Sequence, residues 1–180
     1  DSTIHLAFTD GHPRVEPNNN IYYACYKKGS FFKANGEKIC DMDELPFSPA
    51  EADLVYDARE NQGRGWIWDI ALNDQGYPVI VHTALPGYKD HRYRYAAFNG
   101  QNWQNHYITD AGGWFPQTIE GQQERERHYS GGIILDHQNP NTVYLSKPEN
   151  GIFEIQKWIT HNHGKSWDSI SITKTHQKTM

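Results

Sequence analysis

The chain has 180 residues and a formal net charge of −5, with a pI near 6.0. This charge argues against a general nucleic-acid or membrane-surface binder, which is usually basic. The sequence lacks a run of about 18 apolar residues, so it predicts no transmembrane span. It also opens without the features of a signal peptide, so we expect any such peptide to have been removed or to lie upstream.

Aromatic residues are the informative excess, with six Trp, eleven Tyr and seven Phe. Together with turns containing Gly and Asn, and few helix formers, they predict many short strands. The one weak helical pattern, at 48–54, is short. A compact α+β domain is the alternative, and we expect an all-β fold.

In chain order, the first predicted strands cover 4–10, 20–28 and 31–39, and a polar linker over 41–57 follows them. The second set of predicted strands covers 66–73, 77–83, 93–98 and 103–109. The third set covers 129–136, 142–146, 152–160 and 167–173. Asn99-Gly100 lies between the last two strands of the second set and is a hairpin signal in its own right.

The strand sets repeat. Each complete set has four strands, A to D, and its C–D turn places an aromatic residue soon after a glycine, as in Gly100 and Trp103. Repeats of about 40–50 residues with four strands are typical of β-propeller blades. We therefore expect about three blades, over segments of roughly 1–40, 65–110 and 128–175, with the first blade lacking strand A.

Propellers close with about four to eight blades. The repeats therefore predict part of a ring rather than a closed one. Such a structure should leave apolar blade faces uncovered at both ends, with open blade edges available for self-association.

Residues 160–167, with the sequence THNHGKSW, resemble the Asp-box of sialidase-type BNR propellers, with Asn162 at the Asp position. This box folds the C–D turn through side-chain to backbone hydrogen bonds and implies nothing about catalysis. The sequences WIWDIA, DHRYRYA, HYSGG and GIFEI more closely resemble one BNR-repeat group. That group includes seven-bladed ulvan-lyase-like and rhamnosidase-like enzymes of polysaccharide-degrading bacteria. The resemblance implies a secreted or periplasmic seven-bladed propeller, but not one chemistry.

Several side chains suited to carbohydrate chemistry are predicted at one end of the blades, where the B–C loops and D–A connections lie. They are His12, Trp66, Trp68, His82, Arg92, His128, Tyr129 and Lys147. Aromatic faces stack on pyranose rings, and Arg pairs bidentately with a uronate or sulfate. The set predicts an acidic polysaccharide or oligosaccharide as partner.

Ulvan-lyase-like propellers, as the resemblance implies, use Arg to neutralise the uronate. A His or Tyr then removes the adjacent proton, and another protonates the leaving oxygen. We assign the catalytic roles to His12, His82, Arg92 and Tyr129. We assign substrate binding to Arg94, Trp66, Trp68, His128 and Lys147. Position 82 is His where such lyases are expected to have Tyr, and a further catalytic His would precede residue 1.

Structural roles compete with these assignments. His12 precedes Pro13 and could cap a loop, and His82 lies among apolar residues that suit a structural histidine. Strand alternation places Arg92 and Arg94 on one side of their strand, where one of them is expected to be only a salt-bridge partner. Packing between blades is the commoner role for paired Trp residues.

The leading functional prediction is a β-elimination lyase acting on a uronate-containing glycan. The alternatives are a glycoside hydrolase of the rhamnosidase-like branch and a non-catalytic glycan-binding propeller. No cofactor and no catalytic metal are expected, although a structural divalent cation stays open. Cys25 and Cys40 leave a disulfide, two thiols or half of a metal site open, and a buried thiol is favoured for Cys25.

Overall fold

The first sheet lies at the start of the chain. A computed structural model of the protein describes residues 2–61, 63–113, 115, 119, 121–123 and 130–174. The strands of this sheet are β1 Thr3–Thr9, β2 Ile21–Lys27, β3 Ser30–Phe32, β4 Lys38–Asp41 and β5 Asp53–Tyr56. One edge of β2 pairs with β1, and the other pairs with both β3 and β5. Lys28 and Gly29 both have positive φ and form the two-residue turn from β2 to β3, as tight hairpins favour.

The second and third sheets are four-stranded antiparallel sheets whose strands lie in chain order. The second sheet contains β6 Arg64–Leu72, β7 Pro78–Gly87, β8 Asp90–Phe98 and β9 Trp103–Gly112. The third contains β10 Ile133–Leu135, β11 Thr142–Glu149, β12 Ile152–Ile159 and β13 Asp168–Ser171. These sheets are β-propeller blades, as the repeats predicted.

The second sheet is buried on both faces, which explains the nearly continuous apolar sequence of β7. On one face, Val81 and Tyr93 pack against the third sheet through residues such as Leu145. On the other face, Ile80 packs against the first sheet through Tyr56 and its neighbours. Face-to-face stacking of sheets in this way is how propeller blades share their cores.

Two hydrogen bonds fix the direction of the first sheet relative to the second. Gly65 N–H donates to the Asn19 carbonyl, and Asn19 Nδ2 donates to the Gly65 carbonyl, both at 2.7 Å. The loop between β1 and β2 therefore meets the start of β6, so that β1 runs opposite to β6. This direction agrees with the prediction that the first set begins at strand B. We call this end of the sheets, where β6 begins and β7 ends, the upper end, and the opposite end the lower end.

Several strands are longer at the upper end than the sequence predicted. β7 continues to Gly87, which pairs with Asp90 after an irregularity in the register. β11 likewise continues to Glu149. His82 therefore lies in the middle of β7, and Lys147 lies within β11. The prediction that both residues lie at the ends of their strands was wrong.

The first sheet also differs in its outer strands. The strand predicted at 31–39 is two strands, β3 and β4, separated by a turn in which Gly36 has a φ of 86°. The predicted linker contains β5 and two short 3-10 helices, Met42–Glu44 and Pro49–Glu51. Of the weak helical pattern at 48–54, only the second of these short helices forms. β5 escaped prediction because only Val55 and Tyr56 of its four residues are buried.

The degenerate Asp-box makes the turn between β12 and β13. Asn162 Oδ1 accepts the N–H of Ser166 at 2.8 Å, and Thr160 Oγ1 accepts the N–H of Gly164 at 2.8 Å. The indole N–H of Trp167 donates to the Gly164 carbonyl at 3.1 Å. An amide oxygen at position 162 therefore fixes this turn as an Asp carboxylate would.

Apolar side chains are uncovered on the outer faces of the first and third sheets. Ile4 is 56% exposed on the first sheet. Ile134, Ile155 and Ile170 are similarly exposed on the side of the third sheet that faces away from the second. This is the exposure that the sequence predicted for open blade faces. Both cysteines are free thiols, with Cys40 buried and Cys25 half-buried within β2.

Candidate functional site

A depression of about 550 Å³ lies at the upper end between the first and second sheets. The loop between β1 and β2 forms one wall, and the beginning of β6 forms the other. His12 and Trp66 line it from opposite sides, with their ring centroids 5.1 Å apart and the rings edge to face. The structure thus brings together two of the residues that the sequence singled out.

Trp68 extends the aromatic surface beyond Trp66. It is the extra residue of a β-bulge between Ile67 and Asp69, and bulges commonly redirect side chains near functional sites. The two indole rings are nearly parallel, 13° apart, with centroids separated by 6.5 Å. The Trp68 N–H donates to Thr83 Oγ1 at 2.7 Å, which holds the ring while leaving the residue 39% exposed.

Arg64 is a site residue that sequence reasoning missed. Its guanidinium lies 5.0 Å from the Tyr88 ring centroid and 5.2 Å from that of Phe115. Its Nη1 donates to the carbonyl of Pro13, which lines the depression, at 2.7 Å. Among the residues that the structure describes, no carboxylate forms an ion pair with Arg64. A cation held by aromatic faces and a carbonyl keeps its full charge for a ligand.

The sequence signal for Arg64 was its position two residues before Trp66. It was missed because the strand was predicted to begin at Trp66, whereas β6 begins at Arg64. As the first residue of β6, which is strand A of its blade, Arg64 lies at the same upper end as the other candidate residues.

Arg92 also lies at the upper end, but a carboxylate already compensates its charge. Its Nε and Nη2 donate to the two oxygens of Asp90 at 2.8 and 2.6 Å. This bidentate pair raises the pKa of the Arg92 guanidinium above its usual value. Neither Arg92 nor Arg64 lines the depression itself, but Arg64 donates to Pro13, which does. Of the two arginines in this strand, Arg92 is the one that forms a salt bridge.

His82 is fully buried between the first and second sheets. Its ring packs edge-on against Tyr56, with centroids 4.7 Å apart, and its Nε2 lies 3.0 Å from Asn105 Nδ2. Burial, and then the positive charge of Arg94, lower the pKa of His82 to about 3. A neutral, inaccessible imidazole cannot exchange a proton with a substrate at the surface. The position of His82 therefore contradicts its expected catalytic role.

Arg94 belongs to the same buried group. Its Nε donates to Asn105 Oδ1 at 2.6 Å, and its guanidinium lies 5.7 Å from the Tyr56 ring centroid. Desolvation by burial lowers its pKa. These contacts give Arg94 a packing role between blades, and its substrate-binding role stays a prediction.

The family to which the chain belongs follows from a comparison with protein families. The model of the BNR repeat-containing family matches residues 1–111. The chain belongs to this family. The match covers both walls of the depression, including His12 and Trp66, and the neighbouring Arg64. Comparison with curated proteins gave no match.

The remaining predicted residues of this BNR repeat-containing family member lie beyond residue 111. Lys147 Nζ donates to Thr109 Oγ1 at 3.1 Å and lies 3.6 Å from Glu149, so it bridges the third and second sheets away from the depression. His128 and Tyr129 lie outside the described residues.

Within the described part of the chain, no group of three or more His, Cys, Asp or Glu residues is arranged to hold a metal ion. No helix there is long and apolar enough to cross a membrane.

Proposed function

We propose that this protein binds an acidic, uronate-containing glycan in the upper-end depression. The observation that carries the proposal is Arg64, whose guanidinium forms no ion pair among the described residues and lies beside the cavity that His12 and Trp66 line. Arg recognises carboxylates through two parallel hydrogen bonds. The Trp66 and Trp68 rings supply the apolar surface on which a pyranose ring stacks.

His12 takes part as a hydrogen-bond donor in this proposal. Its Nδ1 accepts the backbone N–H of Arg14 at 3.1 Å. A neutral imidazole whose Nδ1 accepts must carry its proton on Nε2. The Nε2–H is then the group that His12 offers to a ligand oxygen, which suits recognition of sugar oxygens better than proton abstraction.

β-Elimination is the second candidate function, favoured by the pairing of a cation with a histidine at one cavity. In it, Arg64 would neutralise the uronate, and Tyr129, one of the predicted catalytic residues, would remove the adjacent proton as the bond to the leaving oxygen breaks. His12 would give a proton to that oxygen and regain one from water. Hydrolysis is less suited to this cavity, because glycoside hydrolases commonly use two carboxylates. None of the described residues lining it is Asp or Glu.

The test uses polygalacturonate oligosaccharides and the same oligosaccharides after reduction of their carboxyl groups. We expect the acidic form to bind roughly tenfold or more tightly than the reduced form, as loss of one charge-assisted pair predicts. Equal binding of the two forms would contradict the proposal. Incubation with the acidic form then distinguishes elimination from binding alone, because elimination creates an unsaturated uronate that absorbs ultraviolet light.

Polymeric glycans are met outside the cell, so we also propose a secreted or periplasmic location.

Self-association is a separate proposal, supported by the uncovered isoleucines of the third sheet. We propose that a second copy of the chain covers the face that Ile134, Ile155 and Ile170 form. Burial of apolar side chains drives such contacts. Sedimentation velocity should show a concentration-dependent dimer that Ile155→Glu converts to monomer. A monomer at all concentrations would overturn this proposal and leave the glycan site unaffected.

A further inference from the structure

A second cavity, of about 290 Å³, lies at the lower end between the second and third sheets. It is formed where the turns after β6 and β8 meet turns of the third sheet. Five carboxamide side chains line it: Asn73, Gln75, Asn99, Gln104 and Asn141. Tyr95 and Phe98 form its aromatic floor.

Two of these amides are held rigidly by their own turns. Asn73 Oδ1 accepts the backbone N–H groups of Gln75 and Tyr77, at 3.0 and 2.9 Å. Asn99 Oδ1 accepts those of Gln101 and Asn102, at 2.9 and 2.8 Å. Because each oxygen is fixed by two donors, each NH₂ group has a fixed direction before any ligand arrives. Preorganised donors lose little entropy on binding.

The carboxamide NH₂ groups of the cavity are also unused. None of the five donates to a partner among the residues that the structure describes. Gln75, Gln104 and Asn141 have both their donor and their acceptor atoms available. Polar groups that converge without partners in a concave site favour a ligand that satisfies them.

The charge of the cavity indicates the ligand. The described residues that line it include no lysine or arginine, a single carboxylate, Asp74, and one histidine, His163. An anion would therefore meet no permanent cation, in contrast to the upper-end depression beside Arg64. Carboxamides donate and accept at once, as the hydroxyl groups of a sugar do.

We propose that the lower-end cavity is a second carbohydrate-binding site, which takes one residue of an uncharged saccharide. Its volume is at the small end of ligand pockets, which suits a single ring. The site lies at the opposite end of the blades from the acidic-glycan site and uses none of its residues. A chain with both sites holds an acidic and a neutral segment of glycan at opposite ends.

The experiment follows the side-chain NH₂ signals of Asn73 and Asn99 in ¹H–¹⁵N spectra, during titration with xylotetraose, cellotetraose and mannotetraose. At least one of these should shift both signals. The double variant Gln104→Ala with Asn141→Ala should bind that saccharide about fivefold or more weakly, as loss of one or more hydrogen bonds predicts. Gln101→Ala is the matched control, because Gln101 lies in the same turn as Asn99 but does not line the cavity. It should bind as the unmodified protein does.

Two results would overturn this proposal. One is the absence of shifts with all three saccharides at millimolar concentration. The other is an equal response to tetraglycine, which would make the cavity a site for peptide groups. The variant Arg64→Ala should keep its neutral-saccharide binding, so failure at one end of the blades is distinguishable from failure at the other.

Discussion

Two groups of side chains between the first and second sheets share a composition but differ in environment. His12 and Trp66 line an open depression at the upper end, and Arg64 lies beside it. His82 and Arg94 lie deeper between the sheets, against the ring of Tyr56. Each group combines an imidazole, a guanidinium and an aromatic ring. Only the first has polar groups that a ligand can reach.

The difference lies in where each arginine lies. Arg94 donates to Asn105 and lies over Tyr56 between the sheets, where burial lowers its pKa. Arg64 is also held by neutral groups, two rings and a carbonyl, but it lies at the upper end beside the open depression. A buried polar network stabilises the contact between sheets, whereas a cation beside a cavity, with no ion pair among the described residues, favours an anionic ligand.

The largest effect is expected from removing the ring at the centre of the buried group. Tyr56 is 1% exposed and contacts both His82 and Arg94. Tyr56→Ala should lower the free energy of unfolding by about 3–5 kcal/mol, because it leaves a large cavity. Urea denaturation measures this. Tyr88→Ala removes a 49% exposed ring at the upper end and should cost less than about 1 kcal/mol. Similar costs for the two variants would contradict the contrast between the groups.

The buried histidine predicts that acid destabilises the protein. The pKa of His82 falls from 6.5 to about 3 on folding, so the unfolded chain binds the extra proton between these pH values. The contribution of neutral His82 to the free energy of unfolding is complete above pH 6.5 and is lost as the pH falls toward 3. The slope approaches about 1.4 kcal/mol per pH unit, or about 2 kcal/mol between pH 7 and 5.

Urea denaturation at several pH values tests this slope. His82→Gln should be less stable at pH 7 but should show a flatter dependence on pH, because the substituted side chain does not titrate. A variant that keeps the full slope would assign the acid sensitivity to other groups. His5 and His106 also have pKa values lowered by burial, so some slope should remain in the variant.

At the upper end, Arg64→Ala should weaken binding of the acidic oligosaccharides roughly tenfold, or by about 1.5 kcal/mol. Binding of the carboxyl-reduced form should change little, because the lost interaction is with the carboxylate. Arg64→Lys should restore binding only in part, since an ammonium cannot make the two-pronged contact. Isothermal titration calorimetry gives all three values. Equal losses for the acidic and reduced forms would assign Arg64 a structural role.

Much of the fold could be predicted from the sequence because the second and third sheets repeat a strong local pattern. Alternating apolar residues and turns such as Asn99-Gly100 mark strands directly. β5 could not be found in this way, since its pairing with β2 depends on contacts distant in sequence. The single-strand prediction at 31–39 failed because a turn at Gly36 divides it.

The site was harder to predict, because accessibility depends on register rather than composition. The pairing of His82 with Arg94 across β7 and β8 places both on one face. Nothing in the sequence shows that the first sheet covers that face. Because β7 continues a few residues beyond its predicted end, His82 lies in the core and not at the end of a strand. Conversely, Arg64 was overlooked because the start of β6 was placed two residues too late.

The smallest effect is expected from Arg92, which shares the upper end with Arg64 but is already paired. Arg92 and Asp90 form an exposed ion pair, with side chains 44% and 43% accessible, and such pairs contribute about 0–1 kcal/mol. Arg92→Ala should therefore change both the unfolding free energy and acidic-glycan binding by no more than this amount. Asp90→Asn removes the competing carboxylate and leaves Arg92 charged. If Arg64 is the anion contact, this variant should bind the acidic oligosaccharides no more than about threefold more tightly, through the added positive charge alone. A tenfold loss in Arg92→Ala, equal to that of Arg64→Ala, would instead place the glycan carboxylate at Arg92, because a distant surface charge cannot account for it.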